Sequence, residues 1–181
     1  MKIISLFIIS FLFSIGNEIT GQTLCYLSRL KEFPASNVKT GLEPYYYAKC
    51  EHSIAVFLTR LNEFPTSKAK TGLEPFYYAS SQHTLTVFLS KLNEFPSNKL
   101  KTGLEPFYYA SSVHTLSDFL TRLNDFPSSK AKTGLEPFYY ASSQHTLSVF
   151  LTRLSEFPSN KVKTGLEPFY YAWSNHKLCN N

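Results

Sequence analysis

After Ile15 the chain contains no apolar run long enough to cross a bilayer, which excludes a transmembrane helix from the remainder. Cysteine is scarce. Cys25, Cys50 and Cys179 are too few for a dense disulfide framework, and the odd count leaves one thiol free or paired between chains. No Asn-x-Ser/Thr triplet occurs, so N-glycosylation is not expected. No two Lys or Arg residues are adjacent, so dibasic processing sites are missing. There is no P-loop, dinucleotide fingerprint or Gly-x-Ser-x-Gly elbow, and no cofactor is expected. Blocks of like charge are absent too. The net charge of +5 comes mostly from lysines spread evenly along the chain, which reads as ordinary solubility with no nucleic-acid partner. A basic exported protein would still suit acidic polysaccharide or another anionic surface.

The first feature present is an export signal. Lys2 supplies a positive start, and residues 3–15 are apolar except for Ser5, Ser10 and Ser14. That length suits the apolar region of a signal peptide. Cleavage is expected between Gly16 and Gln22, so residues 1–21 read as a signal peptide and the mature chain as extracellular, with no membrane span. Export permits disulfides. Cys25–Cys50 is the expected pair because both lie in the first repeat, whereas Cys25–Cys179 would join the two ends of the array.

The dominant signal is a repeat. Thr-Gly-Leu-Glu-Pro begins at Thr40, Thr71, Thr102, Thr133 and Thr164, a step of 31 residues, and His52, His83, His114, His145 and His176 keep the same register. Five units follow, at 23–53, 54–84, 85–115, 116–146 and 147–177, with a tail at 178–181. Each unit opens with an amphipathic helix. In the fifth, Leu147, Phe150, Leu151, Leu154 and Phe157 fall in an arc of roughly 120°. Pro158 ends that helix, and Ser142 or Ser143 is expected to cap its start. The second part of each unit is read as a turn at the glycine, then an extended Leu-Glu-Pro-Phe-Tyr-Tyr-Ala segment. A short helix opened by the proline competes with that reading. Burying one stripe does not offset the entropy of ordering 31 residues, so units must stack on neighbours. The expected fold is mainly α, a short solenoid of stacked units.

The candidate chemistry is sparse. One histidine per unit, with no nearby Cys, Asp or Glu, makes a poor metal site and reads better as a polar residue near a helix start. Ser143 lies near His145 but has no orienting acid, and Glu167 has no second carboxylate beside it, so no enzyme is expected. The aromatic segments carry the most suggestive pattern. They are Pro44-Tyr45-Tyr46-Tyr47, Pro75-Phe76-Tyr77-Tyr78, Pro106-Phe107-Tyr108-Tyr109, Pro137-Phe138-Tyr139-Tyr140 and Pro168-Phe169-Tyr170-Tyr171. Buried, they form a core with hydroxyls reaching partners. Exposed beside lysines such as Lys68 and Lys70, they make a row that binds an extended partner by avidity. Outside the cell, phenols are also open to oxidative cross-linking.

In layout, with a leading signal and one short Tyr-containing core per unit, the chain resembles the multicopy precursors of ribosomally made, side-chain-cyclised peptides of plants and fungi. That resemblance implies release of the Phe-Tyr-Tyr cores by processing and modifying enzymes. The fungal type carries dibasic cleavage sites between cores, and this sequence departs from it there. The primary reading is a secreted, non-enzymatic scaffold that presents a repeated aromatic and basic face to an extracellular polymer or protein. The alternative is the peptide precursor.

Overall fold

The computed structural model describes residues 25–179. The expected export signal, residues 1–21, lies outside the described residues. The chain is mainly helical, and every unit is a pair of antiparallel helices joined through a 3-10 turn. The outer helices are α1 (Tyr26–Glu32), α3 (Ile54–Glu63), α5 (Leu85–Glu94), α7 (Leu116–Asp125) and α9 (Leu147–Glu156). The inner helices are α2 (Glu43–Lys49), α4 (Glu74–Ser80), α6 (Glu105–Ser111), α8 (Glu136–Ser142) and α10 (Glu167–Trp173).

The outer helices follow the apolar stripe. Each stops before a proline, as at Phe157-Pro158, because proline lacks the N–H that the next turn needs. Their caps correct the sequence expectation. Thr146, not Ser142 or Ser143, caps α9 by accepting the Val149 N–H, and Ser53, Thr84 and Thr115 do the same for α3, α5 and α7. Ser142 ends the preceding inner helix, and Ser143 is its C-cap.

The Leu-Glu-Pro-Phe-Tyr-Tyr-Ala segment is not extended. It is helical in all five units, with proline in the first turn, where its missing N–H costs nothing. The helix is set by the Lys-Thr-Gly-Leu-Glu run in front of it. Glu74 folds back to accept the Lys70 and Thr71 N–H groups at 2.8 and 2.9 Å, and Thr71 Oγ1 donates to the same carboxylate. Gly72, at φ +80°, makes the left-handed bend this requires. Strand propensity of Phe-Tyr-Tyr loses because a helix sends three consecutive rings in three directions, and each direction has a partner.

Those partners are the neighbouring units. α2, α4, α6 and α8 pack in sequence, α8 packs on α10, and α10 packs back on α2. The stack of repeats therefore bends round until its ends meet, forming a closed five-unit ring with the inner helices around the axis and the outer helices outside. Tyr46, Tyr77, Tyr108, Tyr139 and Tyr170 form an unbroken pinwheel, each ring edge-on to the next at 4.8–5.3 Å between centroids. The first ring of each triplet stacks on the preceding unit's pinwheel tyrosine, and Tyr45 on Tyr170 repeats this across the seam. The third tyrosine faces its own outer helix, donating to Glu32, Glu63, Glu94 or Glu156 in four of the units.

The seam also corrects the disulfide. Cys25 pairs with Cys179, 154 residues away, with 5.3 Å between Cα atoms. Cys50 is a buried free thiol at the C-cap of α2, with Arg29 donating toward its sulfur. Proximity in sequence favoured Cys25–Cys50, but closure brings the two ends of the chain side by side. Tyr26 also bonds through its backbone N–H to the Lys177 carbonyl at 2.8 Å.

Candidate functional site

Two surfaces emerge from this geometry, one at each end of the ring axis. At the end where the inner helices begin, a groove recurs between units. Between the second and third units it encloses about 710 Å³, floored by Leu89, Leu92, Phe95, Pro106 and Phe107, with Lys68 and Lys70 on its rim. Between the third and fourth it encloses about 770 Å³, with Leu120, Leu123, Phe126, Pro137 and Phe138 below Lys99 and Lys101. A smaller copy holds Leu61, Phe64, Pro75 and Phe76 beside Lys39, and the seam copy holds Leu27, Leu30, Pro158 and Lys161. The rim lysines are exposed. Leu100, 42 % exposed, borders both of the large grooves.

The predicted contact segments divide between core and groove. Pro75, Pro106 and Pro137 are half-buried and, with Phe76, Phe107 and Phe138, line groove floors. Pro44 and Pro168 are half-buried as well, while Tyr45 and Phe169 are buried in inter-unit stacks. Both remaining tyrosines of every unit are buried, so the rings form no exposed aromatic row: Tyr46, Tyr47, Tyr77, Tyr78, Tyr108, Tyr109, Tyr139, Tyr140, Tyr170 and Tyr171. Burial pushes the pinwheel phenols Tyr77, Tyr108, Tyr139 and Tyr170 above their ordinary range, which disfavours the phenolate that oxidative coupling uses.

At the other end the inner-helix C-termini converge on an axial mouth of about 60 Å³. One position contributes Lys49, Ser80, Ser111, Ser142 and Trp173 in turn around the axis. Trp173 lines the opening and donates from Nε1 to the Ser142 carbonyl at 3.2 Å. The Lys49 Nζ sits 3.3 Å from the Trp173 ring centroid and donates to Ser80 Oγ at 3.0 Å. Over them runs a polar rim. Glu51 accepts from Gln82 and Asn175, and Asn175 donates to Gln144. Val113 takes the fifth place and cannot extend that chain.

Three repeated devices surround the mouth, and sequence reasoning missed their roles. Arg60 crosses from α3 to the end of α4, donating to the Tyr78 and His83 carbonyls at 3.0 and 2.5 Å with its guanidinium 4.2 Å from the Tyr78 ring. Arg29, Arg122 and Arg153 do the same, and Lys91 substitutes in the third unit. A cation at a helix C-terminus satisfies orphan carbonyls and complements the dipole. Each histidine bridges to the next unit. His52, His83, His114 and His145 donate from Nε2 to the carbonyls of Ser81, Ser112, Ser143 and Ser174. Burial holds His83, His145 and His176 below the usual imidazole range, against the raising effect of those bonds. The carboxylates of Glu43, Glu74, Glu105, Glu136 and Glu167 are the third device. Burial alone would raise them, but their hydrogen bonds together outweigh it and hold them low. The only signal for these roles was invariant register.

Ser143, weighed beside His145 as a nucleophile, donates instead to the Tyr140 carbonyl at 2.8 Å. Among the described residues no three His, Cys, Asp or Glu side chains converge as a metal site would need, and no helix is long and apolar enough to cross a membrane. No family model, curated protein or solved structure matches the chain.

Proposed function

We propose that the protein is a secreted, non-enzymatic interaction scaffold that offers one lysine-rimmed groove several times around a rigid ring. The recurrence of that groove carries the proposal. Leucine, phenylalanine and proline floor it, and exposed lysines such as Lys68 and Lys70 border it, in equivalent positions at successive junctions. The partner is an extended anionic polymer or protein surface. Each contact is weak and salt-sensitive, and simultaneous occupation of several grooves multiplies affinity without new contacts. The disulfide accords with an oxidising compartment.

The test is retention of the mature chain on immobilised heparin and on immobilised polyglutamate, with stepwise salt elution. Lys99→Gln with Lys101→Gln should lower the salt needed for elution, and adding Lys68→Gln with Lys70→Gln should lower it further. A chain that passes unretained through both matrices at low ionic strength refutes the reading. Inclusion of every Phe-Tyr-Tyr or Tyr-Tyr-Tyr segment in a buried helix supports the scaffold over the peptide precursor, since excision would dismantle the ring. Intact mass of the secreted material separates the two, as one species near the mature mass or a set of short peptides.

A further inference from the structure

Lys49 has no structural counterpart. Three units carry serine at its position and the fifth carries Trp173, so the ring is built without an amine there. The residue is 8 % exposed, its hydrogen-bond partner is Ser80 Oγ, and among the described residues no carboxylate pairs with it. A buried ammonium without a counter-charge is costly, and a lysine so placed becomes a nucleophile by losing its proton. Lys49 lines the mouth cavity of about 60 Å³, room for a molecule of a few heavy atoms. The gap at Val113 interrupts the polar rim above that cavity. The Ser111 and Ser142 side chains line the same space.

We propose that Lys49 is a covalent capture site for small aldehydes, which enter the axial mouth and form an imine with its Nζ. The neutral amine attacks the carbonyl carbon to give a carbinolamine. The carbonyl oxygen then leaves as water with both amine protons, and a carbon–nitrogen double bond remains. No oxidant or metal takes part. Burial pushes this amine down to about 7, so near neutral pH a large share of it is unprotonated, whereas an exposed lysine holds almost none. The Trp173 face attracts the ammonium form but does not offset the desolvation. The site is independent of the groove reading, which lies at the other end of the axis.

The test uses the mature, disulfide-bonded chain at pH 7 with dilute acetaldehyde and cyanoborohydride, followed by peptide mass mapping. Lys49 should become ethylated about tenfold or more faster than exposed Lys101, and the preference should vanish in urea. Benzaldehyde, too large for the mouth, should show no such preference. Lys49→Ser, which installs the residue of three other units, should keep the helical circular dichroism and remove the fast site. Labelling of Lys49 no faster than Lys101 overturns the proposal, as does a preference that survives unfolding. Equal preference for benzaldehyde refutes capture within the mouth.

Discussion

His176 donates from Nε2 to the carbonyl oxygen of Cys50, 2.7 Å away in space and 126 residues away in sequence. It is the fifth copy of the bond that His52 makes to Ser81, with a separation of 29 residues. The junction between the last unit and the first thus uses the same chemistry as the four within the chain. Phe157 meets Tyr26 edge-on at 6.0 Å, as Phe33 meets Phe57. Five equivalent junctions must share a full turn, about 72° each, so closure follows from the unit's own packing angle.

The seam disulfide is directly measurable. Non-reducing peptide mapping should recover Cys25 joined to Cys179, with Cys50 resisting alkylation until denaturant is added. The crosslink spans nearly the whole ring, and the chain-entropy relation puts its contribution at about 5 kcal/mol. Packing at the seam should let the reduced protein remain folded at a lower melting temperature. A reduced chain as stable as the oxidised one would refute the crosslink's role.

Closure at five makes unit number decisive. Phe119 is fully buried between Phe95 and Tyr109, so Phe119→Ala should cost about 3–5 kcal/mol and leave a folded monomer. Removing residues 85–115 should be worse, because four units cannot complete the turn. Sedimentation and circular dichroism should then find aggregation or loss of helix. A single synthetic unit should show little helix. A stable four-unit monomer would refute the fixed packing angle.

Tyr26 occupies the place that Phe57, Phe88, Phe119 and Phe150 hold in other units, and its buried hydroxyl has no hydrogen-bond partner among the described residues. Tyr26→Phe removes an unsatisfied polar group while keeping the ring contacts. Stability should rise by about 1–2 kcal/mol in chemical denaturation. A loss of stability would mean that the hydroxyl has a partner in solution.

Acid should loosen the junctions. His83, His145 and His176 titrate below an unfolded histidine, so the folded ring binds fewer protons than the unfolded chain as pH falls below about 6.5. Their contribution is complete above that pH and declines below it, until the folded imidazoles also protonate. Arg60 and Lys91 face His83, Arg122 and Arg153 face His145, and Arg29, Arg153 and Glu51 face His176. The capping carboxylates, held low, lose their contribution only in stronger acid, below about 4.5. Melting temperature against pH should therefore fall in two steps, and His83→Gln should shrink the first. A flat profile between pH 7.5 and 5 would rule out this account.

Gly103 has φ +84° with open space where a side chain would sit. Gly103→Ala should therefore cost about 1–2 kcal/mol from backbone conformation alone, and Gly103→Asn less. Equal stability of all three would show that the bend is not left-handed in solution.

The sequence by itself determined the unit. Its period, the stripe from Leu147 to Phe157, the stop at Pro158 and the need for neighbours all follow from local spacing, because a helix brings residues three and four apart onto one face. Tertiary structure alone decided the rest. Phe138-Tyr139-Tyr140 has strong strand propensity, yet it is helical because partners wait on every side. The histidines resemble polar surface residues until the next unit supplies a carbonyl. Cys25 finds Cys179 only because the stack turns through a full circle. That turning angle is a sum of contacts between units, and no window of sequence contains both sides of such a contact.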